Sequence, residues 1–144
     1  MKLPSILLAA SLAGLCLSVP LTALAEVAVV VSSKSAVNAL TSDQASDLFL
    51  GRATSFPGGG SAVPLDQPES SALRDEFYSK AASKTAAQLK AYWSKQIFTG
   101  KGRPPKEAAD SSAVKQQVAA NPNMIGYIDK SAVDANVKIV LTVK

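Results

Sequence analysis

The chain has 144 residues, with 15 lysines and arginines against 11 aspartates and glutamates, no histidine and one cysteine. Without histidine, and with a single cysteine, it lacks the residues for the usual zinc, copper and haem sites and for Ser-His or Cys-His nucleophile pairs. The net charge of +4 suits small anions or an acidic surface and falls well short of a nucleic-acid footprint, so no nucleic acid, metal or cofactor is expected.

Lys2 is the only charged residue before Glu26. An apolar stretch from Ile6 to Val19 follows it, Pro20 breaks any helix, and Ala23-Leu24-Ala25 places small residues where a signal peptidase reads them. Residues 1–25 are therefore expected to be a cleaved secretory leader, and residues 26–144 one domain large enough for a packed core. Cys16 lies inside the apolar stretch behind Leu15, a bulky residue where a lipoprotein peptidase needs a small one. The expected product is a thiol-free protein, soluble in a periplasm, without disulfides to stabilise it.

The β-branched run Val27-Ala28-Val29-Val30-Val31 reads as a strand buried on both faces. Thr41 and Gln44 form a capping box for a helix over Ser42 to Leu50, and Gly51 supplies its left-handed C-terminal residue. Ala53 to Ser61, with Pro57 and Gly58-Gly59-Gly60, is a turn-rich loop. Ala62 to Asp66 forms a short strand that Pro64 pushes toward an edge or a strand start. Ser70 or Ser71 caps the next helix, with Leu73, Phe77 and Tyr78 on one face and Arg74, Asp75 and Lys80 on the other. Ser83 or Lys84 starts a further helix carrying Leu89, Tyr92, Trp93 and Ile97.

Thr99 to Lys106 holds two glycines, two prolines and three cations, and reads as a shaped basic loop. A helix from Ser111 or Ser112 to Ala120 stops at Asn121-Pro122-Asn123. Met124 to Ile128 and Val137 to Val143 supply the last strands. The pattern is α/β, with one mixed sheet of about four strands flanked by about four helices.

Gly100-Lys101-Gly102-Arg103 lacks P-loop spacing and has no Ser or Thr after the lysine, which excludes nucleotide hydrolysis by that motif. Lys101, Arg103 and Lys106 remain as a patch for an anion or an acidic partner. Ser70 and Ser71 offer hydroxyls and amides at a helix start, half of an oxyanion site, and Arg74 lies one turn in. Among Asp66, Glu69, Asp75 and Glu76 no pattern assigns an acid and a base. No catalytic residue is expected; the remaining hydrolase option is a serine-lysine pair using Ser35.

The order Leu40-Thr41-Ser42-Asp43-Gln44 with Leu48-Phe49-Leu50-Gly51, then Ser70-Ser71 and Phe77, Ala91-Tyr92-Trp93, Phe98-Thr99-Gly100-Lys101-Gly102 with Pro104-Pro105, and Ile125-Gly126-Tyr127 resembles the phosphate ABC-transporter substrate-binding proteins. More narrowly, the chain is similar to short exported relatives that amount to one periplasmic-binding-protein-like lobe. The resemblance implies a non-enzymatic solute-binding protein for a small anion such as phosphate, working with an inner-membrane transporter or another envelope protein.

In that family an arginine followed four residues later by Ser-Gly-Thr holds phosphate at a strand-to-helix turn. Alignment on Phe77 puts Gln67 at the arginine, Ser71 at the serine, Ala72 at the glycine and Leu73 at the threonine. The implied ligand contacts are Ser32, Ser33, Gln67, Ser70, Ser71 and Arg74. The alternative is an exported interaction module that keeps the lobe fold without a ligand.

Overall fold

The structure, a computed structural model, describes residues 26–144. The leader expected over residues 1–25 and its Cys16 lie outside the described residues. In chain order the elements are β1 (Val27–Ser32), α1 (Ser42–Phe49), β2 (Val63–Asp66), α2 (Ala72–Ala82), α3 (Ala86–Phe98), β3 (Lys106–Glu107), α4 (Ser111–Ala120), β4 (Met124–Asp129) and β5 (Val137–Val143), with a 3-10 turn at Lys130–Ala132. They form one five-stranded mixed sheet in the order β3-β2-β4-β1-β5.

β2 runs parallel to β3 and β4, while β1 is antiparallel to both β4 and β5. The sheet is covered on both faces, as the unbroken β1 run requires. Val27, Val29 and Val31 pack with Phe49, Phe77, Tyr127 and Trp93 under α1, α2 and α3. Ala28 and Val30 point the other way, to Val114 and Val118 of α4 and to Ile128. Alternate residues of one strand thus serve two cores.

On the larger face Phe77 stacks on Tyr127 at 4.2 Å between ring centroids, and Phe49 meets Phe77 edge-on at 4.9 Å. Each fully buried ring stabilises the fold by about 1.5–3 kcal/mol. On the smaller face α4 packs closely over Gly126. A Cβ there would overlap Cγ1 of Val114 and stand 3.3 Å from Cγ2 of Val118.

The capping box of Thr41 and Gln44 forms, and Gly51 takes φ 70°. Three sequence readings shift. A fifth strand, β3, forms inside the basic loop, pairing Lys106 with Leu65 and Glu107 with Asp66. β2 is therefore flanked on both sides, and Pro64 is tolerated because β3 begins only opposite Leu65. Ser83 does not start α3; it is the left-handed C-terminal cap of α2 at φ 52°, and Thr85 with Gln88 forms the capping box of α3. Among the described residues no helix is long and apolar enough to cross a membrane.

Candidate functional site

The parallel strands β2, β3 and β4 end on the same edge of the sheet, and α2 and α4 begin just beyond it. Such strand ends and helix starts are where open α/β sheets receive ligands. Asp66 closes β2 and is only 1% exposed. The Tyr78 hydroxyl donates to its Oδ2 at 2.7 Å, and the Tyr127 hydroxyl and the Gln67 amide donate to Oδ1. Arg74 adds an ion pair, with Nε 3.5 Å from Oδ1.

Burial, followed by the charge of Asp66, pushes the Tyr78 and Tyr127 phenols well above their ordinary range, so both stay protonated and donate. Burial alone would lower the Arg74 pKa, but Asp66 and the two phenols outweigh it and raise it.

Gln67 follows directly and is 4% exposed. Its side-chain amide nitrogen donates to the Ser111 hydroxyl at 3.1 Å and to the Tyr127 carbonyl at 2.9 Å. Its side-chain oxygen accepts from the Ser71 hydroxyl at 3.2 Å. Ser71 also caps α2 by accepting the Arg74 amide, as Asp110 caps α4 through the Ala113 amide. Gln67 therefore cross-links the starts of α2 and α4 to β4.

The residues around Gln67 border an open depression of about 540 Å³. Ala72 and Leu73 of α2 and Ser111 and Ser112 of α4 line it, and their first-turn amides have no partner within their own helices. Two positive helix ends thus converge on one space. Glu76, Asp110 and Asp129 line it as well. The site offers both hydrogen-bond donors and carboxylate acceptors.

The six expected ligand contacts do not form one constellation. Gln67 and Ser71 belong to the network just described, and Ser70 is exposed beside it. Arg74, expected on the solvent face, is 8% exposed and turned to Asp66. Ser32 and Ser33 stand at the opposite end of the sheet, because β1 runs against β4. The Ser32 hydroxyl is buried and donates to the Ala119 carbonyl, and the Ser33 amide donates to the Asn136 carbonyl.

Ser35 is taken up locally, its hydroxyl accepting the Val37 amide while its carbonyl accepts from Nζ of Lys138. Lys101, Arg103 and Lys106 are exposed and lie beyond α3, away from the α2–α4 depression. The sequence reading missed Asp66, Tyr78, Tyr127 and Ser111. The available signal was two tyrosines in apolar runs, whose buried hydroxyls need partners.

Comparison with known proteins bears on the fold. No protein-family model matches the chain, and no curated protein does so significantly. Solved structures do match. A Clostridium perfringens protein assigned as a phosphate ABC-transporter substrate-binding protein, with bound phosphate, superposes with a TM-score of 0.64 at 26% identity, over 81% of this chain and 45% of that one. This chain is a single-lobe relative of such receptors.

An ABC-type phosphate transport receptor from Vibrio cholerae gives a TM-score of 0.63 at 20% identity, over 81% and 46% of the two chains. PstS from Borrelia burgdorferi gives 0.58 at 14% identity, over 81% and 47%. The chain spans less than half the length of each of these structures.

Proposed function

We propose that this chain is a non-enzymatic, exported solute-binding protein of the phosphate-transporter type, taking a small protonated oxyanion such as dihydrogen phosphate. The observation that supports this most is the convergence of the α2 and α4 starts on one depression at the ends of the parallel strands. Their amides stabilise negative charge. Glu76, Asp110 and Asp129 accept hydrogen from a protonated oxyanion and repel a fully ionised one.

Gln67 stands where the family's arginine is expected and is spent on internal hydrogen bonds. The charge-assisted contact that would dominate affinity is thus missing. One open lobe also leaves its ligand half solvated. Together these put the dissociation constant on the order of 1 mM. Export rests on the leader pattern of residues 1–25.

Calorimetric titration with phosphate tests the reading. Binding should strengthen as the pH falls from 8 to 6, where phosphate gains its second proton, and sulfate should give no heat. Tighter binding at pH 8, or equal binding of sulfate, would contradict it.

A second reading is favoured by a different surface. Phe98 is 93% exposed and Ile97 57% exposed at the end of α3, beside Lys101 and Arg103 of the basic loop. A lobe that docks an acidic envelope partner through this loop, with no solute, would use that surface. Its mark is a pull-down from envelope extract that loses its partner on Lys101→Glu with Arg103→Glu while phosphate gives no heat.

A further inference from the structure

The guanidinium of Arg74 holds one of the two buried side-chain nitrogens left without a hydrogen-bond partner among the described residues. It carries five N–H donors on a residue only 8% exposed. Its Nε faces Asp66 without hydrogen-bond geometry, and both oxygens of Asp66 already accept from Tyr78, Tyr127 and the Gln67 amide. The Trp93 indole Nε1, on a residue 6% exposed, is likewise buried with no acceptor among the described residues. Buried donors without acceptors are rare in folded proteins and call for an explanation.

Arg74 and Trp93 line the same cavity, of about 410 Å³, between α2, α3 and the segment leading through β3. Ala87, Ile97 and Pro104 give it apolar walls. Lys90 adds a cation, and the exposed carboxylates of Glu69 and Glu107 border it. No lining residue is shared with the depression between α2 and α4.

We infer that this cavity is a second ligand site, which takes a small zwitterionic carboxylate with an apolar body, as in a free aliphatic amino acid. A planar carboxylate matches the guanidinium fork and gives the indole its missing acceptor. The aliphatic body lies against Ala87, Ile97 and Pro104. The ammonium group balances Glu69 and Glu107, which would oppose a purely anionic ligand. The volume falls within the ordinary range of small-molecule sites.

Trp93 is the chain's single tryptophan, so its fluorescence reports on this cavity and on the neighbouring pocket at Gly51 and Ala53 that it also lines, and a variant confined to this cavity tells the two apart. The protein is titrated with L-leucine, N-acetyl-L-leucine, L-leucinamide and inorganic phosphate. Leucine should give a saturable change, the N-acetyl form one at least about tenfold weaker, and leucinamide and phosphate none. Ala87→Phe, at an exposed helix position lining the cavity, should abolish the leucine response while leaving the circular dichroism spectrum and any phosphate heat unchanged.

No saturable response to leucine, an equal response to leucinamide, or undiminished leucine affinity in Ala87→Phe would overturn the carboxylate site. An equal or tighter response to N-acetyl-leucine would overturn the zwitterion assignment. Loss of phosphate binding alone would strike the oxyanion reading and leave this one standing.

Discussion

Arg74 separates two regions of opposite character. On its inner side, Asp66, Gln67, Tyr78 and Tyr127 form a network in which the two phenols and the Gln67 backbone amide donate to the carboxylate and Gln67 is bonded at both ends of its side-chain amide. On its outer side lies a cavity bordered by the Trp93 indole and the guanidinium, in which neither the indole Nε1 nor the Arg74 Nε has a hydrogen-bond partner. The first region is complete without a ligand, so its chemistry is structural. The second has donors left over, which is the condition for binding.

The sharpest way to break this contrast is Asp66→Ala. It leaves Arg74 buried without its counter-charge and two phenols without an acceptor, and should cost about 3–5 kcal/mol in urea unfolding. Ala87→Phe, in the outer region, should stay within about 0.5 kcal/mol of the parent. A small loss at Asp66 would mean the inner region is not structural.

Next in size is Gly126→Ala. The new methyl group overlaps Val114 and drives α4 from the sheet, and with it Ser111 from Gln67. Overpacking of this kind costs about 1–3 kcal/mol. A neutral result would show that α4 yields without disturbing the network.

The two buried phenols set an alkaline limit. Their folded pKa values are raised above the unfolded value of about 10. The unfolded chain therefore sheds these protons first, and stability present below pH 10 is lost as the pH climbs above it. The expected slope is about 1.4 kcal/mol per pH unit for each tyrosine. Tyr127→Phe should halve this slope in urea midpoints measured between pH 10 and 11.5, and an unchanged slope would place the titration elsewhere.

The smallest effect is Ser71→Ala, which removes the α2 cap and the partner of Gln67. About 1 kcal/mol is expected, with weakened phosphate heat. Full retention of that heat would detach the oxyanion reading from α2.

The parts of the fold written in local pattern were legible. The β-branched run of β1, the Thr41–Gln44 box and the left-handed Gly51 are each fixed by neighbours within a few residues. β3 was not, because two residues in a glycine- and proline-rich loop become a strand only when Leu65 and Asp66 pair with them. Ser83 and Thr85 show the limit of capping signals. Either hydroxyl suits a helix start, and Ser83 loses because its left-handed backbone ends α2.

For the site, the resemblance located the turn at Gln67 to Ser71 but not what those residues do there. Asp66 finds Tyr127 across 61 positions of sequence, and no periodicity announces such a pair. Arg74 stands at i, i+3, i+4 and i+7 spacing with Phe77, Tyr78 and Ala81, the buried face of α2, so grouping it with Asp75 and Lys80 followed charge instead of spacing, and the carboxylate it meets comes from another element.

The most direct test of the receptor-lobe reading is an amide-resolved NMR titration of the isotope-labelled protein with phosphate at pH 6. The largest shifts should fall on the amides of Ala72, Leu73, Ser111 and Ser112, with the Trp93 indole signal unmoved. Shifts centred on the Trp93 indole or on Lys101 and Arg103, or no saturable shift at all, would contradict an oxyanion site between α2 and α4.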